Sequence, residues 1–139
     1  MSTLAKTTHV MVVLLFVAGV SSCGSQSDSV KDQWNDRSKL PDCGSIELGQ
    51  GEKVTATSHT EVSCMSDAIE SGTGAELHVS SPTIEGDMIR DHYRLYPDRH
   101  LELYIDSSDD PHAGVDWELI ECIRPVWLPR VTCPDTGPY

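Results

Sequence analysis

The cysteines constrain this chain more than any other feature. There are five, at positions 23, 43, 64, 122 and 133. An odd count in an exported protein leaves one thiol to account for, whereas an even remainder can be stapled in an oxidising compartment. The chain has no CxxC motif and no closely spaced Cys/His pair, so the set points to disulfides rather than a metal site. Setting Cys23 aside leaves Cys43, Cys64, Cys122 and Cys133, enough for two bridges. Four cysteines allow three connectivities, and the sequence does not choose between them. Cys43–Cys64 with Cys122–Cys133 is preferred because both loops are short.

Cys23 closes a segment laid out like an export signal. Lys6 and His9 give a short, weakly basic start, and Val10 to Val20 is an unbroken run of eleven apolar residues. A bilayer-spanning helix needs about 20 such residues, so this run is too short to be a permanent span. Val20-Ser21-Ser22-Cys23 resembles the bacterial lipobox: an aliphatic residue, two small residues and a Cys. That resemblance implies removal of residues 1–22 as a lipoprotein signal peptide and lipidation of the Cys23 thiol. Two or three acyl chains, palmitate among them, anchor a protein stably where one does so only marginally. The expected location is the extracytoplasmic side of the cell membrane. Gly24, in place of Asp after the lipidated residue, resembles the pattern that permits sorting to an outer membrane where the host has one.

Acidic residues outnumber basic ones 22 to 10, for a net charge of −12. Nucleic-acid binding needs a positive footprint and is disfavoured, as is adhesion to anionic head groups. The acidic residues are scattered rather than blocked, which is the pattern of a soluble surface.

Residues 23–40 are the lipidated Cys followed by a polar stretch rich in Ser and Asp, read as a flexible tether. Seventeen flexible residues would reach roughly 20–25 Å. Trp34 is its one anomaly. Residues 41–139 form the expected domain. Gly44 to Glu47 offers a short strand, and His59 to Ser71 has the period of a helix. Val62, Met65 and Ile69 share one face of it, Ser58 or Thr60 can cap it, and Gly72 stops it. From Ala75 the period changes to two. Ala75–Thr83, Met88–Tyr96, His100–Asp106 and Val115–Ile123 alternate apolar and polar residues, although the last has an ambiguous phase. Their links, Glu85-Gly86-Asp87, Pro97-Asp98-Arg99 and Ser107 to Gly114, carry turn chemistry. The expected fold is α+β, with one helix packed on a four-stranded antiparallel meander. Pro125, Pro129, Pro134 and Pro138 deny the tail regular structure, and a disulfide through Cys133 would pin it back.

With the strands placed, Thr83-Ile84-Glu85-Gly86-Asp87-Met88-Ile89 is similar to a T-x-E-G-D-P-I motif found in a family of small bacterial lipoproteins of unknown function. That family also has an upstream helix, a D-x-[ST]-x-D segment, a following Gly and a late Cys. The counterparts here are Asp106-Ser107-Ser108-Asp109-Asp110, Gly114 and Cys122, so the resemblance runs from about Cys43 to Cys122. Met88 stands where the family has Pro, and His112-Ala113 stand where an aromatic residue is expected. The resemblance implies a fold and a location, and no activity.

Two groups of residues are candidates for chemistry. Glu85, Asp87, Asp106, Asp109 and Asp110 form the densest acidic set, and two connectors meeting at one end of the sheet would bring them together as a cation site or an acid/base pair. Asp is also ordinary turn chemistry, and the segment lacks the ligand spacing of an EF-hand. His78, His92 and His100 are expected to share the outer sheet face with Arg90, Arg94, Glu102 and Tyr104, as a ligand surface or a solvated face. There is no nucleophile elbow, phosphate loop or H-E-x-x-H helix, and no cofactor is implied. The expected role is a non-catalytic binding module of the cell envelope, taking a protein partner, an envelope component or a small molecule. The alternative is a small hydrolase or cation-binding protein that uses the acidic connectors.

Overall fold

The computed structural model describes residues 26–55 and 59–123. The signal segment, Cys23, Cys133 and the proline-rich tail lie outside the described residues. Among the described residues the architecture is α+β, with two helices and one five-stranded sheet. Helix α1 spans Gln26–Asp36 and helix α2 spans Thr60–Ser71. The strands are β1 (Asp42–Glu47), β2 (Ala75–Pro82), β3 (Met88–Leu95), β4 (Leu101–Asp106) and β5 (Trp117–Cys122), side by side in chain order.

Strands β2 to β5 form the expected antiparallel meander. The expectation of four strands and one helix falls short in two places. First, Asp42–Glu47 joins the sheet as a fifth strand, parallel to β2, which makes the sheet mixed. A parallel pair needs a crossover connection, and α2 supplies it between β1 and β2. Second, Gln26–Asp36, expected within a flexible tether, is a helix that packs on the sheet.

Helix α2 forms because its apolar residues repeat at helical spacing. Val62 and Met65 are fully buried and Ala68 nearly so. Gly72 ends the helix in the left-handed conformation (φ 66°, ψ 33°), which glycine adopts without Cβ strain. The start differs from expectation. His59 is the N-cap and makes no side-chain capping bond, Thr60 lies inside the first turn, and Ser58 is outside the described residues. Ile46, Leu77, Leu95, Leu101 and Cys122 meet α2 in the main core. The Cys43–Cys64 disulfide ties β1 to α2, so the preferred pairing is present. Cys122 is also disulfide-bonded. No helix among the described residues is long and apolar enough to cross a membrane.

Candidate functional site

Side chains alternate across a strand, so the sheet has a second face. The register lines up Glu76 with Arg94 and Glu102, His78 with His92 and Tyr104, and Arg90 with Asp106 and Trp117. The expected outer-face residues are therefore brought together, with His100 at the margin, stacked at 5.4 Å on Tyr96, whose hydroxyl donates to Glu102. The face is not solvated. Helix α1 crosses it, with Val30 packed on Tyr104 and Trp117, and Trp34 beside them.

Trp34 is the centre of this contact. Its ring stacks on His92 at 4.3 Å and meets Tyr104 at 5.3 Å and the edge of His78 at 5.9 Å. The Arg37 guanidinium lies over its other side, a cation–π contact. The two imidazoles touch Nδ1 to Nδ1 at 2.9 Å. In that contact one ring nitrogen donates and the other accepts. Burial, followed by the neighbouring His78, pulls the His92 ring down to about 4; the Asp106 carboxylate works against this, and Arg37 and Arg90 add to it.

Beyond Trp34 the helix is tied down by charge. Buried Arg94 donates from Nε to Glu76 (3.1 Å), from Nη1 to Glu102 (2.9 Å) and the Tyr96 hydroxyl (2.7 Å), and from Nη2 to the Ser38 carbonyl (2.8 Å). Glu76 also accepts from Arg37 and from the Leu40 amide. Burial, and then the hydrogen bond to Glu102, push the Tyr96 phenol up to about 12. The segment after α1 is thus fixed to β2, β3 and β4.

The acidic connectors do lie at one end of the sheet, since β2 turns into β3 there and β4 ends beside the start of β3. Arg90 on β3 pairs with both Asp106 and Asp109. Asp106 also accepts from the Ser108 amide and hydroxyl, and Asp110 from the His112 amide, which are turn bonds. Asp87 closes the β2–β3 turn through its amide to the Thr83 hydroxyl, and Glu85 is exposed on that turn. Among the described residues no group of three or more His, Cys, Asp or Glu is arranged to hold a metal ion.

Between α1 and β5 lies a cleft of about 710 Å³. The helix lines it with Gln26, Ser27, Ser29, Val30 and Gln33, and the strand with Trp117 to Glu121. Residues from both faces of β5 take part, so the cleft follows the strand's outer edge. Among the described residues its charged lining is Glu118 and Glu121, with no Lys or Arg. Sequence reasoning missed this site because it missed α1. Val30 and Trp34, four residues apart, are the sole helical signal in a polar stretch. No protein-family model, curated protein or solved structure matches the chain.

Proposed function

We propose that the chain is an exported, lipid-anchored binding module that works at the extracytoplasmic face of a membrane, with the α1–β5 cleft as its recognition surface. The observation that carries this reading is the cleft itself. It pairs hydroxyl and amide side chains on a docked helix with the outer edge of a strand, next to apolar Val30, Trp117 and Leu119. The order of Val10–Val20, Ser21, Ser22 and Cys23 supports export and anchoring, and the Cys43–Cys64 bridge suits an oxidising compartment. The similarity of Thr83–Ile89 to the lipoprotein motif points the same way.

Helix α1 sharpens the geometry. If Cys23 carries the lipid, Gly24 and Ser25 alone separate it from Gln26, a reach of about 11 Å at most. The cleft, which begins at Gln26, would then lie at the membrane surface rather than a tether's length away. The alternative, a hydrolase or cation site on the connectors, is weakened by the Arg90 cation between Asp106 and Asp109.

Two measurements test the proposal. Cys23→Ala should lose both a palmitate-analogue label and membrane fractionation; retention of both would refute anchoring. A photo-crosslinking residue in place of Gln33, inside the cleft, should give adducts in native membranes. The same residue in place of Lys53, exposed on the β1–α2 connector, should not. Equal labelling from both positions would remove the cleft as the recognition surface.

A further inference from the structure

We propose that the cleft takes an extended, basic peptide segment, which adds to the open edge of β5 as a sixth strand. This rests on the reading of the cleft as a recognition surface and names its ligand class.

The backbone sets the argument. In an antiparallel strand the N–H and C=O of one residue point to the same side, and the side alternates with each residue. The Asp116 carbonyl accepts from Ser107, so residue 116 faces β4. The Trp117 amide donates instead to Ser27 Oγ on α1 at 3.1 Å, so residue 117 faces outward. Leu119 and Glu121 keep the same phase and present their backbone groups along the cleft. Among the described residues β5 pairs with β4 alone, at the end of the strand order. Ser27 satisfies the first outward donor, and among the described residues the next two meet no backbone partner. A strand edge of this kind is a template for main-chain addition, which gives affinity without a particular side-chain sequence.

The charge selects the partner. Glu118 lies on one face of β5 and Glu121 on the other, both exposed, and each has an apolar residue beside it. An added strand with Lys or Arg would meet a carboxylate on either face, as an opposite-charge cross-strand neighbour. Two copies of this chain pairing edge to edge would instead gather four of these glutamates in one ribbon with no cation. A basic peptide is therefore favoured over self-association. The helix side of the cleft, with Ser29 and Gln33, offers donors and acceptors for its remaining polar groups.

The test uses the processed, anchored chain in neutral detergent micelles and three ten-residue probes. They are an alternating Lys-Val peptide, its Glu-Val counterpart, and the Lys-Val peptide with every backbone amide N-methylated. The Lys-Val peptide should slow hydrogen exchange at the Leu119 and Glu121 amides by about ten-fold or more at saturation, and the other two should not. Leu119→Pro removes an outward N–H while sparing the β4 ladder, a place where an edge strand tolerates proline, and should abolish binding. Should that variant disturb the fold, the N-methylated peptide makes the same test on the unaltered chain. Glu118→Gln with Glu121→Gln should weaken binding by about ten-fold. Free exchange at Leu119 and Glu121 under saturating Lys-Val peptide overturns strand addition. If adducts from position 33 then carry a glycan or lipid, strand addition fails while the cleft reading stands. If position 33 gives none, both fail.

Discussion

Arg94 shows what a buried charge needs in order to be tolerated. Its guanidinium is almost wholly buried, and it is matched by Glu76, Glu102, the Tyr96 hydroxyl and the Ser38 carbonyl. Removing one member strands the others, which costs about 3–5 kcal/mol, whereas removing a matched pair costs far less. Arg94→Ala should therefore lower the denaturation midpoint severely, and Arg94→Met with Glu76→Gln and Glu102→Gln, which removes both carboxylates with the cation, should recover part of the loss in urea melts. A smaller effect sits in the β3–β4 turn, where Arg99 holds a left-handed conformation at φ 68°. A side chain there is strained and glycine is not, so Arg99→Gly should stabilise by up to about 1 kcal/mol, seen as a raised melting temperature. The sequence marks Pro97-Asp98-Arg99 as a turn. The sign of φ at Arg99 follows from how the two strands close, as the Tyr96 amide bonds the His100 carbonyl and the Arg99 amide the Tyr96 carbonyl.

At the scale of elements, α1 is the piece whose hold is most exposed to conditions, because it rests on Trp34 and the His92 ring beneath it. Trp34→Ala should release it, so that the Trp117 environment changes in near-ultraviolet circular dichroism while the core of α2 and the sheet persists. Acid acts on the same contact. His92 titrates near 4 in the folded chain, below its ordinary 6.5, so the unfolded chain takes up that proton first and stability is lost as pH falls through this window. Asp91, its neighbour on the opposite face of β3, does the reverse. Burial, opposed by a hydrogen bond from Tyr93, raises its carboxyl to about 6 from the usual 3.8. Its contribution is present below that usual value and is lost as pH rises through 6. Between about pH 4 and 6 the two oppose each other. Relative to wild type, Asp91→Asn should lose stability more steeply on acidification and His92→Gln less steeply, as denaturation midpoints across that range would show. A shared slope in all three proteins would contradict the assignment.

For the whole molecule, two helices on opposite faces of one sheet explain why so short a chain can build two apolar clusters. The Cys43–Cys64 bridge closes a loop with a sequence separation of 21 residues, which is worth about 3 kcal/mol by its restraint on the unfolded chain. Replacing both cysteines with Ala should lower unfolding free energy by about that amount and loosen β1 first, since α2 is its crossover connection. The core face of the meander and the apolar face and end of α2 were legible in the sequence, because periods of 2 and 3.6 are set by which side chains must leave water and Gly72 marks the stop. The same holds for the cysteine set and the export-like start, which are properties of order along the chain. The parallel pairing of β1 was half legible, since a strand, a helix and a strand follow one another in 42–82. Helix α1 was not. Its apolar residues are too few to show a period, and it is held by partners 39 to 90 positions away, from Glu76 for Arg37 to Trp117 for Ser27. The cleft inherits that dependence. The sequence by itself determined which faces are apolar and which cysteines are at hand; tertiary packing decided what covers the second face and which strands end the sheet. Those two outcomes rest on contacts between residues far apart in the chain, and no local pattern encodes them.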